Sequence, residues 1–195
     1  MDLNYNDNFL FLGQNKGFIR TSEQNGYKHI YHHANDGSLI RQLTDGPFEV
    51  NSLIGVDEKA GKLYFISSEA SPLERHVYVV GLNGKGKKQL TTAKGTHRVS
   101  MSKDFRYFIN YHSAADSPMT VTLHESNGKL LSTLEDNAAL RERLKGFQLA
   151  PKEFFQLDGA DGTPLNAYQL KPVNFDPNKQ YPVLMFVYGG PGSSK

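Results

Sequence analysis

The residue in this chain best placed for chemistry is Tyr188. It closes an uninterrupted apolar run, Pro182-Val183-Leu184-Met185-Phe186-Val187-Tyr188, and stands directly before Gly189-Gly190-Pro191-Gly192. Apolar residues without alternation fit a strand buried on both faces, as in a mostly parallel sheet. A glycine-rich loop at the end of such a strand lets backbone approach a ligand closely. A fixed phenol hydroxyl there could donate to the negative charge that develops on a carbonyl oxygen during acyl transfer, a contribution of roughly 2.7–4 kcal/mol in a dry site. The alternative is an aromatic ring that packs at a strand end, and position alone favours neither.

The partners such chemistry needs are harder to find. No Gly-x-Ser-x-Gly elbow occurs, and Ser193 and Ser194 follow the glycine loop as loop serines. With no cysteine, a disulfide framework, a thiolate metal site and a cysteine nucleophile are all excluded. Seven histidines invite a metal or triad reading. However, His32 and His33 are adjacent and face opposite sides of a strand, His97, His112 and His124 are isolated, and no His-Glu-x-x-His spacing occurs. No metal and no cofactor are expected. Glu23 reads as a solvated loop residue.

The elements that would position Tyr188 are dominated by a repeat. His29-Ile30-Tyr31 leads to Asp36-Gly37 and on to Gln42-Leu43-Thr44, and His76-Val77-Tyr78 leads to Asn83-Gly84 and on to Gln89-Leu90-Thr91. Thr120-Val121-Thr122 leads to Asn127-Gly128 and on to Leu134. The three glycines are 47 and 44 residues apart, and the three leucines keep that spacing. His29 and His76 hold equivalent positions, which argues for a structural role. Each unit has the chemistry of a β-hairpin, with Asp-Gly or Asn-Gly supplying two positive-φ positions of a tight turn and alternating β-branched and aromatic flanks. Further strands precede the hairpins at Phe18–Thr21, Leu63–Ser67 and Tyr107–Tyr111, and in the later units at Val50–Val56 and His97–Met101. Four strands at this period describe a β-propeller blade. A β-sandwich rarely shows such self-similarity. About three blades are visible and closure needs roughly 4–8, so further blades are expected upstream.

After Leu134 the pattern changes. Asp136 or Asn137 could cap a short helix over Ala138–Lys145, with Leu140 and Leu144 on one face and Gly146 as its stop. Strands are expected at Glu153–Asp158 and Leu165–Lys171, and prolines 172, 177 and 182 punctuate the loop that follows. The net charge of +2 gives no general case for nucleic acid or an acidic membrane surface, and Lys85, Lys87 and Lys88 read as a solvated turn. The N-terminus has no signal-peptide pattern and no stretch of about 18 apolar residues occurs.

Taken together, Pro164–Tyr168, Lys171-Pro172, Phe175-Asp176-Pro177 and Tyr181–Ser193 resemble the prolyl oligopeptidase clan of serine peptidases, and within it the dipeptidyl peptidase IV family. Ser22-Glu23 with Gly26–Tyr31, Ser71–His76, and Leu134–Asn137 with Leu140 agree, so the resemblance is collinear over the chain. Phe48-Glu49-Val50 departs from a Trp-bearing form of that blade. The resemblance implies a mainly β fragment with three parts. Residues 1–134 would be the C-terminal blades of a propeller, 135–149 a linker with a short helix, and 150–195 the start of an α/β-hydrolase domain. It implies a serine peptidase that releases N-terminal dipeptides with Pro or Ala second, and it gives Tyr188 the role of oxyanion donor. The triad would lie beyond Lys195 and the substrate-amine ligands before Met1, so the fragment is expected to be inactive. The implied partner is a peptide with a free N-terminus, with no nucleic acid. The parent is expected to be a homodimer exported to the periplasm or surface of a bacterium. The alternatives are a fragment of an acylaminoacyl or prolyl oligopeptidase, or a propeller interaction module without catalysis.

Overall fold

A computed structural model describes residues 9–187. Three four-stranded antiparallel sheets follow one another along the chain, each wound from neighbouring strands. The first holds β1 (Phe9–Phe11), β2 (Phe18–Ser22), β3 (His29–His33) and β4 (Leu39–Gln42). The second holds β5 (Val50–Asp57), β6 (Lys62–Ser67), β7 (His76–Gly81) and β8 (Lys88–Gln89). The third holds β9 (Thr96–Met101), β10 (Tyr107–Ala114), β11 (Ser117–Glu125) and β12 (Leu130–Glu135). A short helix, α1 (Ala138–Leu144), and a separate hairpin of β13 (Glu153–Asp158) and β14 (Pro164–Gln169) complete the elements. The three expected blades are therefore present as sheets. The first gains a fourth strand, β1, that is too short for alternation to reveal.

Alternation along the strands decides how the sheets stack. Leu63 and Phe65 of β6 join Tyr78 and Val80 of β7 in a core shared with Ile19, Ile30 and Leu43 of the first sheet. The intervening residues, Tyr64 and Val77, turn the other way and meet Phe108 of the third sheet. The middle sheet is thus apolar on both faces, as period-2 side-chain placement requires. Phe105 adds to the second junction. It adopts a left-handed φ of 54° in the β9–β10 turn, and its ring stacks on Tyr64 at 5.8 Å.

Each repeated residue has a specific role. Leu43 and Leu90 donate their amides to the carbonyls of Ile30 and Val77, at 2.8 and 2.7 Å. The next residue, Thr44 or Thr91, accepts the amide of Ile30 or Val77 at 3.0 Å through its hydroxyl oxygen. The same hydroxyl lies 3.2 Å from Nδ1 of His29 or His76. Gln42 and Gln89 donate their side-chain amides to the carbonyl of that threonine. The conserved spacing of His, Gln, Leu and Thr in the two units is therefore one clamp built twice, and both histidines are buried.

Two local expectations need correction. The hairpin turns have three residues, not two. The amides of Gly37, Gly84 and Gly128 bond the carbonyls of Ala34, Gly81 and Glu125, and those three residues in turn donate to Ser38, Lys85 and Lys129. Only the glycines have positive φ, at 86°, 76° and 95°. This is a turn followed by one left-handed residue and a bulge. The preceding Asp36, Asn83 and Asn127 instead accept the amide two residues on, at 2.9, 3.0 and 2.8 Å. The helix ends one residue earlier than expected. Asn137, at φ 54°, makes no side-chain cap; Asp136 instead accepts the Ala138 amide at 2.8 Å.

Candidate functional site

The approach to Tyr188 is built from the β13–β14 hairpin and the proline-punctuated loop after it. The hairpin turn repeats the three-residue design: Gly162 has φ 81°, and Asp161 accepts the Thr163 amide at 2.9 Å, which holds its carboxyl below the usual range. At the open end Glu153 gathers Lys171 at 2.8 Å and Gln169 at 2.9 Å. The Lys171 ammonium foremost, then Gln169, lowers the Glu153 pKa. Lys171 also lies over the Phe175 ring at 5.2 Å. Phe175 stacks on Tyr181 at 5.2 Å, and the Tyr181 hydroxyl oxygen accepts the Asp176 amide at 3.0 Å. A chain of contacts from Glu153 to Tyr181 therefore fixes where the segment toward Tyr188 begins.

Beyond that anchor the expected buried strand is not formed. Val183–Val187 pair with no strand among the described residues, and their exposures run from 77% to 97%. A strand apolar on both faces needs a hydrogen-bonded neighbour on each edge and a layer over each face, and the described residues supply neither. Tyr188, Gly189–Gly192, Ser193 and Ser194 lie outside the described residues.

The remaining candidates have structural partners. Glu23 pairs with Lys28 at 3.6 Å and stays exposed. His32 bonds the Lys16 carbonyl, while His33, on the opposite face, is buried and accepts from Arg20 at 3.2 Å. Among the described residues no cluster of His, Cys, Asp and Glu could hold a metal ion. The lysine turn is less free than its composition suggests, because Lys87 pairs with Glu69 at 2.6 Å and covers the Phe48 ring. One juxtaposition was invisible in the sequence: His76, His97 and His112 come together in a stack across the second and third sheets. Their separations follow no motif, and only the sheet register joins them.

Comparison with known proteins places this architecture. The model of the dipeptidyl peptidase IV N-terminal region matches residues 3–119, more than half of the chain. The chain belongs to the dipeptidyl peptidase IV family. The structure of Porphyromonas gingivalis dipeptidyl peptidase 4 is similar at 40% identity with a TM-score of 0.83, over 90% of this chain and 25% of that one. Dipeptidyl peptidase 4 of Trichophyton rubrum is 33% identical over 97% of this chain and 26% of its own length. A Neosartorya fischeri protein named "Probable dipeptidyl-aminopeptidase B" is 35% identical over 91% of this chain and 20% of its own length. The chain thus spans about a quarter of the length of the curated relatives it matches. The family similarity extends past the three sheets into the β13–β14 hairpin, because the 97% coverage includes it.

Proposed function

We propose that this chain is part of a serine-type dipeptidyl peptidase that releases N-terminal dipeptides with Pro or Ala in the second position. Residues 1–134 are its closing propeller blades, 135–149 a linker carrying α1, and 150–195 the start of its α/β-hydrolase domain. Tyr188 is the oxyanion donor. The observation that carries this reading is similarity to proteins named dipeptidyl peptidase 4 over nearly the whole chain, on both sides of the change in pattern after β12. The exposed Val183–Val187 run supports it from within the chain, since a doubly apolar segment is what the interior strand of a parallel sheet requires.

The chemistry follows from the geometry of acyl transfer. Attack on the amide carbon moves an electron pair onto the carbonyl oxygen. A phenol held at a strand end donates to that oxygen more strongly as charge develops, so it lowers the barrier rather than the substrate's ground state. The peptide partner presents a free N-terminus. The parent acts as an exported homodimer, without cofactor, metal or nucleic acid.

The test is kinetic. In the longer protein that contains this chain, Tyr188→Phe is expected to lower kcat on a Gly-Pro chromogenic substrate by about 10²–10³-fold with little change in KM. A change confined to KM would remove the oxyanion role. Cleavage of an acetylated substrate in preference to Gly-Pro would replace the dipeptidyl reading with an acylaminoacyl one. The 195-residue chain alone holds no Gly-x-Ser-x-Gly elbow and is expected to give no turnover.

A further inference from the structure

The junction between the second and third sheets differs from the junction before it in its histidines. At the first junction, the Val50 amide donates to the Lys28 carbonyl at 2.8 Å, beside His29. At the second, the His97 amide donates to the Arg75 carbonyl at 2.8 Å, beside His76. Val50 and His97 therefore fill the same slot of the repeat. Across the sheet Val50 pairs with Ser67, whereas His97 pairs with His112. Where one junction has an apolar residue and a hydroxyl, the next has two imidazoles laid against a third.

The three rings form a ladder. His76 and His97 have centroids 5.0 Å apart, and His97 and His112 stack at 4.5 Å. His97 is buried between them. Its Nε2 lies 2.7 Å from the Ala93 carbonyl and its Nδ1 3.0 Å from the Asn110 Oδ1. The Nε2–H donates to the Ala93 carbonyl, and Nδ1 is left to pair with the Asn110 side-chain amide, whose oxygen and nitrogen exchange places by a half-turn. A neutral ring needs the Asn110 amide turned so that its nitrogen donates. His112 Nε2 donates to the Lys94 carbonyl at 2.9 Å. Two ladder rings thus hold the Thr92–Gly95 connection between the sheets, beside the backbone bridge of Arg75 to Thr96.

We propose that His97, packed between the rings of His76 and His112, is an acid-sensitive latch on this junction, closed when its ring is neutral and loosened when it takes up a proton. A charge on His97 is poorly solvated because that ring and His76 are buried, whereas His112 is partly exposed. The other charged groups nearby are already engaged. The Glu74 carboxylate accepts His76 Nε2 at 2.7 Å. Arg75 donates to the Pro72 and Glu74 carbonyls, and Arg98 lies over Tyr111. β5, which also packs on β9, carries one titratable residue, Asp57, whose carboxylate takes the Lys59 and Ala60 amides. Burial lowers the His97 pKa, the Ala93 and Asn110 contacts oppose this, and His112 and His76 add to it. With the folded value below the unfolded one, the unfolded chain binds its proton first. Stability is then full above about pH 6.5 and is lost as pH falls through that value toward the lower folded one.

The repeat itself supplies the test variants, His97→Val and His112→Ser, each the residue found at the equivalent position. Between about pH 7.5 and about pH 5.5 the full chain is expected to lose about 2–4 °C more in Tm than His97→Val does. Imidazole NMR of the unaltered chain gives a second readout that needs no variant. His97 should titrate below about 6.5, and His112→Ser should move its midpoint up. Equal Tm losses in the chain and in His97→Val, or a His97 midpoint at or above about 6.5, would overturn the latch.

Discussion

At the scale of single residues, one hydroxyl links two hairpin strands in each clamp. Thr44 is 3% exposed and is the acceptor for the amide of the fully buried Ile30. Thr44→Val keeps the shape and leaves that amide without its acceptor, so unfolding free energy should fall by about 1–3 kcal/mol in denaturant titration. A loss below about 0.5 kcal/mol would mean that the clamp is ornamental. A second residue-scale prediction concerns Asp104. The Ser102 hydroxyl at 2.7 Å and the Arg106 Nε at 2.6 Å bring its pKa down to about 2. Its contribution is therefore present above the ordinary carboxyl range and fades as pH falls through about 2. Ser102→Ala should raise the Asp104 midpoint measured by carboxyl NMR, because it removes the largest of the causes that lower it. These partners lie two residues apart and were missed in the sequence, where short polar turns look alike. The histidine ladder was missed for the opposite reason, since its members meet only through sheet register.

At the scale of elements, the repeated hairpins show how far sequence reading carries. Alternation in Leu63–Ser67 and His76–Val80 located strands, but it read them as half-buried, and the apolar packing on both faces of the middle sheet came only from the stacking of its neighbours. The turn glycines were located correctly, but their neighbours' backbone was not, because Asp36, Asn83 and Asn127 use their side chains to accept an amide instead of adopting positive φ. Glycines at matched turn positions also meet different surroundings. A Cβ on Gly37 would touch nothing, whereas one on Gly128 would come within 2.7 Å of the Leu90 carbonyl in the adjacent sheet. Gly37→Ala should cost about 1–2 kcal/mol, the left-handed backbone strain alone. Gly128→Ala should cost clearly more and should perturb Leu90 amide exchange. Equal effects would show that the sheets can part at no cost. The Val183–Val187 segment marks the limit of pattern reading. Its apolar composition specifies what it needs to be buried by, and the described residues do not provide it.

At the scale of the whole molecule, three sheets are stacked through two apolar junctions, and the segment toward Tyr188 stays apart from both. Leu184 is 97% exposed in a run of five apolar residues, a composition that recruits other strands. Leu184→Lys should therefore lower self-association of the isolated chain in light scattering without shifting its Tm, since among the described residues the side chain has no packing partner. Unchanged association would assign the interface to the open sheet faces. The order of the strands has a further consequence, for synthesis. Each sheet is a single unbroken stretch of chain, residues 9–42, 50–89 and 96–135, and every pairing within it joins strands adjacent in sequence. At about 5–20 residues per second, a ribosome releases one complete sheet every few seconds. Each can close before the next is translated and then serve as the template against which its successor docks, so the strand order permits assembly in the direction of translation.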